Sequence, residues 1–249
     1  MSHILELALP PWPDVDYAAF GEVETVPLSR IQKLGAGYLA RNWVTIPHVT
    51  HQDEADITAL EPVRKRLSEE SGVKVTLLPF LMKAVAAGLA RFPAFNASLD
   101  ADGQTLVLKK YFHVGFAVDT PKGLIVPVVR DCERKSVVEL ASEIAALGAR
   151  ARDKGLPMAD MVGGCMTVSS LGHIGGTGFT PIVNAPEVAI LGVMRAQWKP
   201  QREGDGMTWR LMLPLSLSYD HRVLNGADVA RFAAHLADML AKPESFPLL

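Results

Sequence analysis

The order of helix-like and strand-like segments is the sequence feature that most constrains how this chain can fold. Apolar residues at helical spacing predict helices over residues 26–43, 55–71, 77–91, 136–154 and 228–241. Short β-branched and apolar runs predict strands over residues 43–51, 106–108, 113–118, 124–129, 166–170, 188–194 and 209–218. The two kinds of element alternate irregularly, and several neighbouring strands could pair as hairpins. We therefore expect an α/β fold in which helices pack on a mixed β-sheet, rather than a purely parallel doubly wound sheet.

Local signals predict where some of these elements begin and end. Pro27 falls near the first turn of the first helix. Thr58 and Glu61 have the spacing of a capping box in the second helix, and Gly72 follows its last turn. The polar stretch 199–206 predicts the tip of a hairpin whose returning strand begins at Trp209.

Composition and charge argue against several classes of partner. The 249 residues carry a net charge of −2 and no basic block, so neither nucleic acid nor an anionic membrane is favoured. The most apolar window, residues 73–92, is interrupted by Lys74, Lys83 and Arg91, which favours a buried helix over a membrane span. The two cysteines lack metal-ligand spacing, and no secretory signal is visible. We expect a protein of the cytoplasm, or of the mitochondrial matrix if it is eukaryotic.

A proline-rich segment, residues 8–16, precedes the first helix and predicts an extended arm or the end of a linker. No internal repeat or boundary divides the rest of the chain. We expect an N-terminal arm over residues 1–20 and a single domain over residues 21–249, which is long enough for a substantial core.

The segment 220–226 contains the first candidate for catalysis. A strand-like run leads into Asp220-His221-Arg222-Val223-Leu224-Asn225-Gly226, and a helix-like pattern follows. A strand end can hold a side chain rigidly, and a neutral imidazole is well suited to remove a proton near pH 7. His221 is therefore a candidate general base, and the alternative is a structural histidine bonded at a turn.

Other chemistries have less support in the sequence. Asp220 and His221 are adjacent, so in a strand they face opposite sides and cannot share a metal ion. No Gly-x-Ser-x-Gly elbow is present, and the glycine-rich loop 172–178 matches neither the Walker nor the dinucleotide pattern. Ser169 and Ser170 precede that loop. They are either turn formers or hydrogen-bond donors to a developing oxyanion.

The segment 220–226 resembles the Asp-His-Arg-Val-x-Asp/Asn-Gly signature of dihydrolipoamide acyltransferases. These proteins are the core subunits of 2-oxo acid dehydrogenase complexes and are related to chloramphenicol acetyltransferase. Further blocks resemble the family in the same order: Ile46-Pro47-His48-Val49-Thr50, Phe95-Asn96-Ala97-Ser98, Gly115-Phe116-Ala117-Val118-Asp119-Thr120-Pro121, Ser169-Ser170-Leu171-Gly172 and Ala185-Pro186-Glu187-Val188-Ala189-Ile190-Leu191-Gly192. The resemblance covers roughly residues 20–245 and implies the two-layer sandwich of the chloramphenicol acetyltransferase fold. Residues 180–187 look most like the acetyl-transferring, pyruvate dehydrogenase branch.

The resemblance implies a direct transfer between two thiols. Coenzyme A and the dihydrolipoyl group would enter a channel from opposite ends and meet at His221, which removes the proton from the attacking thiol. The thiolate then attacks the thioester carbonyl, and the hydroxyl of Ser169 stabilises the oxyanion. Asn225 stands where many relatives carry an aspartate, and we expect it to fix the loop or the imidazole.

The resemblance adds candidate site residues besides His221, Ser169 and Asn225. Asp119 would lie near the catalytic groups, or it caps the turn before Pro121. His48, Arg64 and Ser170 are candidates for substrate binding. Arg64 would meet a coenzyme A phosphate, and the alternative is a solvated charge on a helix. No metal is implied, and coenzyme A and the lipoyl group act as substrates.

The resemblance also implies a homotrimer with each site between two subunits, assembled into a larger cubic particle. The apolar terminus, residues 246–249, would contact a neighbouring trimer. The decarboxylase and dihydrolipoamide dehydrogenase components would be partners, and a domain absent from this chain would carry the lipoyl group. Three alternatives stay open, namely a multimeric scaffold, a thioester hydrolase, and an acyltransferase with succinyl or branched-chain specificity.

Overall fold

The computed structural model describes residues 11–121 and 123–246. The strands in this part of the chain are β1 (His48–Asp56), β2 (Ala97–Leu99), β3 (Leu106–Leu108), β4 (Val114–Phe116), β5 (Val128–Val129), β6 (Met166–Ser170), β7 (Ala189–Val193), β8 (Gln197–Glu203) and β9 (Gly206–Asp220). The α-helices are α1 (Arg30–Thr45), α2 (Leu60–Ser71), α3 (Leu77–Arg91), α4 (Val137–Asp153) and α5 (Gly226–Ala241). Two parts of the sequence predictions lie outside the described residues: residues 1–10 of the N-terminal arm, which include positions 8–10 of the proline-rich segment, and Pro247–Leu249 of the apolar terminus.

The main sheet is mixed, as predicted. Its seven strands have the order β1-β9-β7-β6-β4-β5, and β8 pairs with the free part of β9. Strands β4, β6 and β7 run parallel to one another. Strands β1, β7 and β8 pair antiparallel with β9, and β5 pairs antiparallel with β4. The long strand β9 is therefore held by main-chain hydrogen bonds on both sides.

Alternation along β9 gives the sheet one apolar face and one polar face. The apolar residues of β9 are buried in the main core with side chains of α3, α4 and α5: Leu213, Leu215, Leu217 and Tyr219. Ser216 and Ser218 point the other way, where their hydroxyls bond the side chains of Gln52 and Thr50 at 2.6 and 2.7 Å. We call this second side the polar face. Helices α2, α3, α4 and α5 pack on the apolar face, which gives the predicted two-layer arrangement.

The predicted boundary between the first helix and the first strand is wrong. Ser29 caps α1 by accepting the N–H of Gln32, so the helix begins at Arg30 and Pro27 lies outside it. The β-branched run at its end favours a strand locally, yet Thr45 is helical and its hydroxyl bonds a backbone carbonyl one turn back. Strand β1 consequently begins only at His48.

The predicted capping box of the second helix is also absent. The N-cap of α2 is Ala59, which makes no side-chain hydrogen bond. Thr58 instead bonds the carboxylate of Asp56 and accepts the N–H of Leu211, because the chain before α2 is still tied to β9. Gly72 does end the helix, with a φ of 67° that suits glycine.

The stretch 199–206 is mostly strand rather than a hairpin tip. Strand β8 reaches Glu203, pairs with β9, and leaves the tip at Gly204 and Asp205. The prediction failed because the β8–β9 hairpin is exposed to solvent. Its strands are therefore rich in polar residues, which is also the composition of a loop. The predicted strand 124–129 is reduced to the two residues of β5, and residues 55–56 of the predicted second helix belong to β1. The other predicted elements are present with small shifts, and β2, which was not predicted, pairs with β3 in a separate ribbon.

The N-terminal part of the described chain is poorly covered. On α1 only Asn42 is buried, and its amide donates to the carbonyl of Val183 at 3.0 Å. Trp43 stacks on His48 with 5.6 Å between ring centroids. The remaining large apolar side chains of this region are exposed: Leu28, Ile31, Leu34, Tyr38, Leu39 and Val44. Exposed apolar patches of this kind mark contact surfaces.

Within the described residues, no helix combines the length and the hydropathy that a bilayer crossing requires.

Glu187, in the loop before β7, is a buried carboxyl group. Its Oε1 accepts the hydroxyl of Thr167 at 2.9 Å and the amide of Asn184 at 3.4 Å. Its Oε2 has no partner among the described residues. Gly164 leaves room for the group, since a Cβ at that position would lie 2.7 Å from Oε1. Burial raises the pKa of Glu187 to about 7, which favours the neutral acid.

This pKa predicts a pH-dependent stability. The folded protein keeps the proton of Glu187 up to about pH 7, whereas the unfolded chain releases it near the ordinary value of 4.5. The free energy of unfolding should therefore fall as the pH rises between these values, by an amount on the order of 3 kcal/mol. The Glu187→Gln variant should lose this dependence when urea unfolding is compared at pH 5 and pH 8. The exposed Glu69→Gln variant is the control, and equal pH dependence in wild type and Glu187→Gln would contradict the assignment.

Candidate active site

His221 follows the last residue of β9, at the strand end that the sequence predicts. The N–H of Asp220 donates to the carbonyl of Val188 at 2.9 Å, and the N–H of His221 donates to the carbonyl of Pro47 at 3.2 Å. The backbone that carries the imidazole is thus tied to the chain on both sides of β9. Such a support holds a functional side chain in a fixed position.

An ion pair between buried Asp220 and the more exposed Arg222 fixes the turn that carries His221. Asp220 is 3% exposed, and its carboxylate accepts Nη2 of Arg222 at 2.6 Å and Nε at 2.9 Å. The hydrogen bond to Asp220 raises the pKa of Arg222. The ion pair holds Arg222 against the carboxylate of Asp220, which supports a structural role for its guanidinium.

The imidazole of His221 is exposed to solvent and makes no hydrogen bond within the described part of the chain. It tilts against the ring of Tyr219, with 5.6 Å between centroids. Within the described part of the chain, neither ring nitrogen has a hydrogen-bond partner. A turn histidine with a structural role would have one, so the geometry favours a group that acts on another molecule.

Asn225 caps helix α5. Its side-chain oxygen accepts the N–H groups of Ala227 and Asp228 at 3.1 and 3.2 Å. It therefore fixes the loop after His221 and makes no hydrogen bond to the imidazole. Aspartate caps helices as well as asparagine does, so the cap itself does not require a charge.

Ser169 and Ser170 end β6 at the sheet edge opposite to His221. The parallel strands β4, β6 and β7 all end at this edge, and Asp119 lies just beyond β4, exposed to solvent. Ser169 is in register with Gly192 of β7, which is in register with Ser216, so its side chain lies on the polar face. Ser170 alternates to the helix-covered side. Of the two hydroxyls, the structure therefore presents that of Ser169 on the open face.

Ser169 and His221 do not meet within one chain. Ser169 is level with Ser216, two strands away, and His221 lies five residues further along β9. Strand spacings of about 4.8 Å and rises of about 3.4 Å per residue separate the two residues by about 20 Å. Two side chains cannot bridge this distance, so a shared site needs a second copy of the chain.

His48 has internal partners for both ring nitrogens. Its Nε2 accepts the N–H of Val183 at 2.9 Å, which leaves the proton on Nδ1 to donate to the carbonyl of Ile46 at 2.8 Å. With Trp43 stacked on its ring, His48 fastens the loop around Val183 to the sheet. These contacts argue against its predicted role in substrate binding.

Arg64 is also engaged within the chain. Its Nε and Nη2 each contact the carboxylate of Glu61 at 2.7 Å, and Nη1 donates to the carbonyl of Val75 at 2.7 Å. The hydrogen bond to Glu61 raises the pKa of Arg64. The guanidinium joins α2 to the segment before α3 and uses three of its five N–H groups within the chain, which favours a structural role over the predicted contact with coenzyme A.

The packing of Phe179 on the polar face had no part in the sequence predictions. Phe179 lies against Gly192, next to Ser169, and the available signal was a glycine inside an apolar strand, which often marks a close approach. Nothing in the sequence marked Phe179 itself.

In residues 11–121 and 123–246, no cluster of three or more His, Cys, Asp or Glu side chains is arranged to hold a metal ion.

The chain is similar to known proteins over most of its length. A Pseudomonas aeruginosa protein, the dihydrolipoyllysine-residue acetyltransferase component of pyruvate dehydrogenase complex, is 56% identical over 236 residues, which are 94% of this chain and 43% of that protein. The chain thus spans less than half the length of this relative. Chloramphenicol acetyltransferase shares the fold, with a TM-score of 0.57 at 16% identity over 81% of this chain and 94% of that one.

Two solved structures match almost the whole chain. One is the Azotobacter vinelandii dihydrolipoamide acetyltransferase, studied for the role of a serine, a histidine and an asparagine in its catalytic mechanism. The other is the cubic core of the pyruvate dehydrogenase multienzyme complex. Each has a TM-score of 0.93 at 54% identity and covers 96% of this chain and 99% of its own. A model of the 2-oxoacid dehydrogenases acyltransferase catalytic domain matches residues 20–248, and the chain belongs to this family.

Proposed function

We propose that this chain is the catalytic core of an acyltransferase that moves an acetyl group between a dihydrolipoyl thiol and coenzyme A. The family and the name of the Pseudomonas aeruginosa relative support this activity. The serine, histidine and asparagine studied in the Azotobacter vinelandii enzyme are separated by the same sequence intervals as Ser169, His221 and Asn225. The observation that carries the proposal is the exposed His221 on a rigid strand end, with no internal partner for its ring in the described chain.

His221 acts as the general base. A thiol has an ordinary pKa near ~8.5, so it is mostly protonated at neutral pH and gains reactivity when a base removes the proton. The resulting thiolate forms a bond to the thioester carbonyl carbon, and the carbonyl electron pair moves to oxygen. Ser169 donates its hydroxyl proton in a hydrogen bond to that oxyanion. When the carbonyl re-forms, the other C–S bond breaks, and the departing thiolate takes the proton from the imidazolium.

The site forms between two copies of the chain. His221 of one copy meets Ser169 of its neighbour, because the two residues lie at opposite edges of the sheet. A ring of three copies provides three such sites by repeating one contact. The exposed apolar residues of α1, with Trp198, Met207 and Trp209 on the β8–β9 hairpin, supply surface for the contact.

The proposal extends to a larger assembly. The matched cubic core supports a particle built from such trimers, with the decarboxylase and dihydrolipoamide dehydrogenase components as partners. The lipoyl group would be carried on another domain. Within the chain, residues 1–20 serve as the arm and residues 21–249 as the catalytic domain, to which Asp119 contributes at the Ser169 edge. The free thiols of Cys132 and Cys165 suit a cytoplasmic location.

Substitution of the two catalytic residues should stop transfer without preventing folding. With acetyl-coenzyme A and free dihydrolipoamide, His221→Ala should lower kcat by about 10²–10⁴ and Ser169→Ala by about 10²–10³. His235→Ala and Ser142→Ala, on helices α5 and α4, are matched controls that should keep wild-type rates. Unchanged transfer in both catalytic variants would support a scaffold instead. Release of coenzyme A from acetyl-coenzyme A in the absence of dihydrolipoamide would support a hydrolase. Rates with succinyl- and isobutyryl-coenzyme A as donors test the alternative acyl specificities.

Asn225 should affect stability through its helix cap. Asn225→Ala removes the acceptor for two N–H groups and should lower the free energy of unfolding by about 0.5–2 kcal/mol. Asn225→Asp keeps the acceptor and should unfold at nearly the wild-type urea concentration. If the alanine and aspartate variants were equally stable, the cap would not be the role of this side chain. Loss of transfer in a stable Asn225→Asp variant would show a further need for the amide.

A further inference from the structure

The pairing of β1 with β9 ends on a single hydrogen bond to His221. His48 is opposite Asp220, so the next pair along the register is Pro47 and His221. Two residues opposite each other at such a position normally exchange two main-chain hydrogen bonds. Pro47 has no N–H to give, so the bond from the N–H of His221 to the carbonyl of Pro47, at 3.2 Å, joins this pair alone. The direction of that carbonyl therefore bears on the backbone of His221.

The imidazole of His48 fixes the turn that carries this carbonyl. Its Nδ1 donates to the carbonyl of Ile46 at 2.8 Å, two residues back, and so closes a ring of bonds around Pro47. The ring of bonds includes the ψ angle of Pro47, which is the angle that aims its carbonyl. The N–H of Ile46 donates to the carbonyl of Asn42 at the end of α1, at 3.0 Å. Both main-chain polar groups of Ile46 are thus bonded, and the turn is anchored to the helix.

The imidazole of His48 is held in turn by its surroundings. Its Nε2 accepts the N–H of Val183 at 2.9 Å, and Trp43 stacks on the ring with 24° between the ring planes. Val183 is fully buried and belongs to a small apolar cluster with Ile46 and Ile190. Since both nitrogens and one ring face are engaged, the imidazole cannot turn without losing one of these contacts. The turn around Pro47 is therefore tied to a fixed group.

We propose that His48 is a positioning residue for the acyl transfer, because its imidazole fixes the carbonyl of Pro47 and thereby places His221 where it takes the thiol proton. This inference rests on the proposed function. A general base acts only within hydrogen-bond reach of the proton, and a displacement of about 1 Å can lower the rate on the order of 10²-fold. In this role His48 acts through the backbone and touches no substrate, so its loss lowers kcat and leaves KM unchanged.

The two hydrogen bonds of His48 can be removed one at a time. In His48→Asn the amide nitrogen takes the place of Nδ1 and still donates to Ile46, whereas in His48→Gln the amide oxygen takes the place of Nε2 and still accepts from Val183. With acetyl-coenzyme A and free dihydrolipoamide, His48→Asn should keep kcat within about threefold of wild type, and His48→Gln should lower it by about ten- to 100-fold. The KM for each substrate should stay within about twofold of wild type in both variants.

Two controls separate this role from general support of the structure. Asn42→Ala removes the amide that donates to the carbonyl of Val183, so it loosens the same loop and leaves the turn around Pro47 intact. It should keep the wild-type kcat per folded chain, with the folded fraction taken from circular dichroism. His51→Asn makes the same substitution on β1 at a position opposite Leu217, on the helix-covered side, and should also keep the wild-type kcat.

A kcat in His48→Gln equal to or above that in His48→Asn would overturn the inference, because the bond to Ile46 would then not matter. A loss in Asn42→Ala as large as that in His48→Gln would overturn it as well, since the loop and not the turn would be responsible. So would a raised KM at unchanged kcat, which would return His48 to substrate binding. A wild-type protein that transfers no acetyl group would refute the proposed function itself, a result distinct from an active enzyme that is indifferent to His48.

Discussion

The pairing of β9 between β1 and β7 is the constraint on which the rest of the structure depends. Main-chain hydrogen bonds on both sides fix its register, and a slip of one residue would move its apolar set to the wrong face. Because β7 runs antiparallel to β9 and parallel to β6, the same pairing sends His221 to one edge of the sheet and Ser169 to the other. The distance between the two groups is thus a consequence of strand direction.

The polar face carries the groups that make the distance between Ser169 and His221 relevant to the proposed site. Helices cover the apolar side, and the other side carries hydroxyl and amide groups with Phe179 seated on Gly192. The exposed imidazole, the accessible serine and the uncovered apolar residues of α1 are all features that a single chain leaves incomplete. A second copy that brings its Ser169 edge to His221 accounts for all three, and this is the basis of the proposed site.

The sequence predicted much of the fold because its local signals were strong. Helix α4 has a capping box at Ser136, α3 ends where Phe92 and Pro93 follow, and the mixed sheet follows from the order of elements. The errors arose where tertiary contacts override local preference. Thr58 was assigned to a cap but bonds Asp56 and Leu211, and the solvated strand β8 has the composition of a loop.

For the proposed site, the sequence predicted that His221 follows a strand and that Ser169 ends one, because an apolar run stops at polar residues in both places. The partners of His48 could not be predicted, since Val183 is distant along the chain and the fold alone brings it to His48. The pair of Arg64 with Glu61, three residues earlier on the predicted helix, was available from the sequence but was not used. The separation of Ser169 and His221 was equally hidden, because a residue pattern does not reveal strand direction.

Co-expression of His221→Ala with Ser169→Ala, each with a different affinity tag, tests the central claim most directly. Sequential purification on both tags isolates oligomers that contain the two variants. If each site takes His221 from one copy and Ser169 from the next, every mixed trimer contains one intact site of three. Mixed trimers should then regain about a third of the wild-type acetyl transfer, and a large randomly assembled particle about a quarter, although each variant alone is almost inactive. Mixed oligomers that are no more active than the separate variants would contradict a site formed between two copies.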